Sequence, residues 1–91
     1  MEGVLNKCYI NGIKFRFRIT GGNQGYRIYL LEYPIFNGIY LGSHNGHIIQ
    51  DEYRRPFICW DARIITLENA KNIAYQWASN YFNLIYRGIE F

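Results

Sequence analysis

Cys8, His44, His47 and Cys59 carry metal-ligating side chains and are spread along a chain of 91 residues. Thiolate and imidazole are the ligands of tetrahedral zinc sites, so a Cys2His2 centre is the first chemistry to weigh. The spacing speaks against it. Zinc sites in small domains draw on close cysteine pairs at turns, whereas here each cysteine stands alone in an apolar stretch. A buried free cysteine behaves as a small hydrophobe, and both are read that way. Asp61, near Cys59 and taken with either histidine, gives the outline of a nucleophile, a base and an orienting acid. The surrounding Phe-Ile-Cys-Trp (57–60) reads instead as core strand. The chain has no phosphate loop, no Gly-x-Ser-x-Gly and no His-Glu-x-x-His, and Gly21, Gly22 and Gly25 are too sparse for a phosphate cradle. The expectation is a non-enzyme without catalytic residues, metal or cofactor.

Basic residues make the stronger signal. Lys14, Arg16 and Arg18 alternate strictly with Ile13, Phe15, Phe17 and Ile19. A period of two is that of a half-buried strand, so the three cations share one face and the apolar residues the other. Lys7 and Tyr9 join the cations across a hairpin, and Arg27 and Tyr29 extend the face from the next strand. These seven residues are the candidate nucleic-acid-binding set: cations neutralise phosphates, and tyrosine rings stack on bases. The ordinary alternative is a solvated outer face that is polar because the inner one is core. Charge segregation favours function. Residues 1–31 carry Lys7, Lys14, Arg16, Arg18 and Arg27 against Glu2 alone, while 32–52 carry Glu32, Asp51 and Glu52 and no Lys or Arg. Net charge is a mild +3, a statement about partners rather than fold.

Positioning these residues requires hairpins. Asn-Gly occurs at 11–12, 37–38 and 45–46, and it suits the positive φ of a two-residue type I′ turn. The first turn pairs Ile10 with Ile13, Tyr9 with Lys14, Cys8 with Phe15 and Lys7 with Arg16. A loop over 20–25 and a strand over 26–33 follow, and Pro34 marks an edge or a break. The second and third Asn-Gly predict further hairpins. His44 and His47 then form a cross-strand pair, read as a polar hairpin tip. A loop at 51–56 and a last strand over 57–65 complete the sheet. From Thr66, whose hydroxyl suits a helix N-cap, the period changes. Leu67, Ala70, Ile73, Ala74, Trp77, Ala78, Tyr81, Phe82 and Ile85 recur at helical spacing, and Gly88 stops the run. The prediction is an α+β domain spanning 1–91: about four to six short antiparallel strands within 7–65, packed on one amphipathic helix at about 66–86. Its expected core is Cys8, Ile10, Ile13, Phe15, Phe17, Ile19, Ile28, Leu30, Ala70, Ala74, Trp77 and Phe82 or Tyr81.

The helix opening Thr-Leu-Glu-Asn-Ala-Lys-Asn-Ile-Ala (66–74), placed after a basic sheet, resembles plant ethylene-response-type DNA-binding domains. It is also similar to the arm-binding domains of phage integrases. Those families insert a three-stranded sheet into the major groove and brace it with a helix. This chain departs from them in having more strands and no matching Arg/Trp sheet signature.

The 49% hydrophobic and 19% aromatic content is too apolar for disorder. No charged leader precedes an apolar run, no stretch approaches the ~20 apolar residues of a membrane span, and two isolated cysteines make no disulfide framework. A cytoplasmic address and no membrane partner are expected. Two function classes remain. One is a nucleic-acid-binding module acting through the basic face. The other is a small protein-interaction module of the phage or plasmid type that inhibits a host defence protein, with the acidic stretch 32–52 as its contact. A homodimer joined through a free strand edge is a variant of the second.

Overall fold

The computed structural model describes residues 3–22, 25–34 and 45–91. Among these, β1 (Val4–Ile10), β2 (Ile13–Gly22), β3 (Gly25–Glu32), β4 (Ile48–Gln50) and β5 (Pro56–Ile58) form one antiparallel sheet in the order β1-β2-β3-β5-β4. The helix α1 (Leu67–Arg87) packs across one face. This is the α+β architecture predicted from the alternation and the late change of period.

At the first turn Asn11 and Gly12 both adopt positive φ, 48° and 83°. The ladder pairs Ile10 with Ile13, Cys8 with Phe15 and Lys7 with Arg16, and it continues to Val4 opposite Ile19. The period-two pattern therefore turns Phe15, Phe17 and Ile19 inward, where all three are buried with Ile28 and Leu30 of β3. Thr66 caps α1 by accepting the Asn69 amide on its hydroxyl at 3.0 Å. Gly88, at φ 68°, ends the helix in the left-handed conformation, with its amide on Leu84 O and that of Ile89 on Asn83 O.

The helix delivers Ala70, Ile73, Ala74, Trp77, Ala78, Tyr81 and Phe82 to the core. Trp77 is the centre. Its indole meets Phe15 and Phe17 edge-on at 6.0 and 6.2 Å and stacks on Tyr81 at 4.6 Å. Its Nε1–H donates to Gly46 O at 2.8 Å, so the buried polar atom is satisfied. Cys8 and Ile13 sit at the margin of this cluster, partly buried, and burial pushes the Cys8 thiol up.

Several boundaries differ from the sequence reading. β2 and β3 run to Gly22 and from Gly25, so most of the expected 20–25 loop is strand. Glycine reads as a breaker, but here it makes room: a Cβ on Gly21 would run into the Tyr26 ring. The strand expected before the third Asn-Gly lies outside the described residues, and the turn itself is described from Asn45 onward. Asn45–His47 is a short 3-10 turn with Gly46 and His47 at φ 69° and 58°, and it is held by Trp77. The β4–β5 hairpin lies at 51–55, where Asp51 accepts the Tyr53 and Arg55 amides. The expected strand over 57–65 is broken. β5 ends at Ile58, and Ile64 rejoins β3 by an isolated bridge to Tyr26. The Asn37-Gly38 turn, the strands expected around it and His44 lie outside the described residues.

Replacing Trp77 with alanine should destabilise the protein by roughly 3–5 kcal/mol, the usual cost of emptying a large aromatic site, as measured by chemical denaturation. Gly46→Ala should also destabilise, by about 1–3 kcal/mol, because the position combines positive φ with a Tyr81 ring atom 2.9 Å from the added Cβ. An unchanged midpoint for Gly46→Ala would show that the turn is not held against the helix.

Candidate nucleic-acid interface

The face of the sheet turned away from α1 is organised in cross-strand rows, because residues paired in an antiparallel ladder project to the same side. Tyr9 stands opposite Lys14, and Lys7 opposite Arg16, which in turn faces Glu32. The next row runs Leu5, Arg18, Tyr29, Phe57 and Ile49, and Thr20 pairs with Arg27 beyond it. Alternation in β1, β2 and β3 thus places all seven predicted residues, Lys7, Tyr9, Lys14, Arg16, Arg18, Arg27 and Tyr29, on one face.

A β-bulge tunes this face. Arg16 pairs with Glu32 while Phe17 pairs with Leu30, so Leu31 is the extra residue. The shift sets a carboxylate rather than Leu31 across from Arg16. The resulting Arg16–Glu32 contact, 3.7 Å between half-exposed groups, is worth little. Lys7 and Arg16 remain directly opposed like charges, which costs a sheet stability.

The seven residues are not equally accessible. Tyr9 is 54% exposed, whereas Tyr29 is 6% exposed and belongs to a network. The Tyr29 hydroxyl accepts from Arg27 Nη1 at 3.1 Å and donates to Asp51 Oδ2 at 2.9 Å. Its ring packs on Phe57 at 5.6 Å, and the Arg55 guanidinium lies 5.3 Å from its centroid. Arg27 lies 4.1 Å over the Phe57 ring, a cation–π contact that leaves an arginine on the surface with a fixed plane. Tyr29 therefore positions Arg27 and is largely covered by its neighbours.

Asp51 anchors the network. Burial pushes its carboxyl up, but hydrogen bonds from the Arg55 amide, the Tyr29 hydroxyl, the Arg55 guanidinium and the Tyr53 amide more than offset this and bring it down to about 2. The guanidinium bond is 2.8 Å long, and it raises Arg55 in turn.

Phe57, Ile49, Asp51, Arg55, Trp60 and Arg63 enter this neighbourhood without having been singled out in the sequence. Phe57 and Ile49 could have been placed by alternation once the β4–β5 hairpin was recognised; the others depend on long-range pairing. Two depressions meet at Arg27. One, of about 220 Å3, has Phe57, Trp60 and Arg63 among its walls, and the other, of about 320 Å3, runs over Gly21 and Gly25 to Thr20.

The thiol and imidazole groups lie elsewhere. Cys8 is on β1 opposite Phe15, far along the sheet order from Cys59, which follows β5. Cys59, His47 and Asp61 line a cleft of about 400 Å3 beside α1, where His47 Nε2–H donates to Phe91 O at 2.6 Å. Among the described residues no group of three or more His, Cys, Asp or Glu is placed to hold a metal ion. No described helix is long and apolar enough to cross a membrane.

Compared with known protein families, curated proteins and solved structures, the chain matches none. Among the described residues the sheet has five strands, where the ethylene-response-type and integrase arm-binding domains have three.

The depressed Asp51 carboxyl sets an acid limit. Its folded value of about 2 lies below the unfolded value of about 4, so its contribution is present above pH ~4 and is lost as pH falls toward 2. The thermal midpoint should drop through that window in the wild type. Asp51→Asn should start lower at neutral pH and change less between pH ~4 and 2; parallel pH profiles for the two proteins would contradict the network.

Proposed function

We propose that the protein is a small non-enzymatic, cytoplasmic module that binds nucleic acid through the open face of its sheet. The observation that carries this reading is the direct opposition of Lys7 and Arg16, flanked by Lys14 and Arg18 and set beside exposed Tyr9. A face shaped by solubility alone would interleave signs across the ladder, since like charges directly opposite are destabilising. Glu32 is the carboxylate paired with Arg16 on the β3 side of this array. A polyanion stabilises such an array by neutralising it, and counterion release drives the association.

A second reading rests on Tyr53, Tyr75 and Tyr86, which are all exposed. Tyrosine is enriched at protein interfaces, so a protein-interaction module that inhibits a host protein is the competing class.

The two separate in one titration. Labelled single-stranded and duplex oligonucleotides are bound across a salt series starting at ~50 mM. The nucleic-acid reading expects affinity that falls steeply with salt. Arg16→Ala should weaken binding to all sequences alike and lower the salt slope by about one, with the fold intact because the side chain lies outside the core. Glu32→Gln should instead strengthen binding. Absence of binding to every oligonucleotide at ~50 mM salt would overturn this function in favour of a protein partner.

A further inference from the structure

The junction of β3 with the chain that follows β5 is mismatched in length. Tyr29 pairs with Phe57 and Tyr26 bridges to Ile64, so the three steps from Tyr26 to Tyr29 face seven steps from Phe57 to Ile64. Both ends are fixed to the sheet, the second by the Tyr26 amide on Ile64 O at 2.8 Å. The four surplus residue steps must leave the sheet, and they do so as an excursion over 59–63. Between that excursion and β3 lies the opening of about 220 Å3. It is a product of the register, not of a loose loop.

The walls of this opening have a definite chemistry. Phe57, Ile49 and Ile64 supply apolar surface, and Trp60 lines it while remaining 41% exposed. Arg27 and Arg63 line it too, and among its lining residues there is no carboxylate. The excursion's own acid, Asp61, lines instead the cleft beside α1, which shares Cys59, Trp60 and Ala62 with this opening. Arg27 is held in place from below by the Phe57 ring and the Tyr29 hydroxyl. The aliphatic stem of Arg63 packs beside Gly25, where an added Cβ would meet its Cγ at 2.7 Å. Two arginines around a small aromatic and aliphatic recess match an anion attached to a flat ring. Arg27 also belongs to the basic face, so the recess and the cation rows are continuous.

We infer that this recess takes an unpaired nucleobase, stacked on Trp60 with its phosphate between Arg27 and Arg63, so that the ligand of the sheet face is single-stranded; the inference rests on the nucleic-acid reading above. Bases inside a duplex are stacked and paired and cannot enter a recess of this size without being extruded, whereas single strands present bases freely to aromatic side chains.

Tryptophan fluorescence tests this directly. Trp77 is 1% exposed and Trp60 is open, so quenching on ligand addition reports on Trp60. The probes are a thymidine homopolymer and the same strand annealed to its complement, each at ~50 mM salt. The expected result is quenching by the single strand, which binds at least tenfold more tightly than the duplex. Trp60→Ala should lower single-strand affinity about ten- to hundredfold, the range for losing one stacked base, and Trp60→Phe should restore most of it. Arg63→Ala should weaken the single strand more than the duplex. Trp60→Phe should keep the wild-type thermal midpoint, and the loss in Trp60→Ala should be larger for the single strand than for the duplex. Equal affinity for both probes with no effect of Trp60→Ala would overturn the recess as a base site while leaving the sheet face as a phosphate-binding surface. Failure of both probes to bind would overturn the inference together with the function it rests on.

Discussion

The packing of Trp77 against the sheet is the contact on which the rest of the molecule depends. Its ring spans Phe15 and Phe17 on β2, stacks on Tyr81 one turn along the helix, and reaches Tyr33 just past β3. Its Nε1–H ties down Gly46, the turn from which β4 starts. One side chain thus connects the helix to the N-terminal hairpin and to the short far strands. β4 and β5 have three residues each, too short to be stable as an isolated hairpin. Tyr81 reinforces the same junction by donating to Pro34 O at 3.0 Å, and burial, with Tyr33 nearby, pushes its hydroxyl up to about 12.

Among the described residues one helix covers one sheet face, and none of them forms a layer over the other. An antiparallel sheet tolerates this when its exposed side is polar. Here that side holds long cationic side chains near the N-terminal hairpin and a cation–aromatic layer over β3 and β5. The two regions differ in order. The guanidiniums of Arg27 and Arg55 are fixed by aromatic faces and by Asp51, directly or through the Tyr29 hydroxyl, while the Arg16–Glu32 pair is long and solvated. A preorganised arginine loses less freedom when it binds a phosphate than a solvated one does. The Asp51 network therefore both closes the β4–β5 turn and prepares one edge of the proposed binding face.

The amino-acid sequence by itself determined the elements whose signal is local. Strict alternation over Ile13–Ile19, Asn11-Gly12 at positive φ, and helical spacing from Leu67 with a Thr66 cap and a Gly88 stop each follow from interactions within a few residues. They sufficed to place Lys7, Tyr9, Lys14, Arg16 and Arg18 on one face and Trp77 in the core. Tertiary structure decided what depends on distant partners. Asn45-Gly46 carries the same dipeptide signal as the first hairpin, yet it forms a 3-10 bend whose Gly46 carbonyl accepts from Trp77, 31 residues away. Tyr29 alternates outward as the pattern requires, yet Phe57 and Asp51 cover it. The bulge at Leu31 and the excursion over 59–63 arise where two segments of unequal length are pinned to the same strand, and no local pattern encodes that difference. The recess beside Trp60 and Arg63 exists only because that surplus has to leave the sheet.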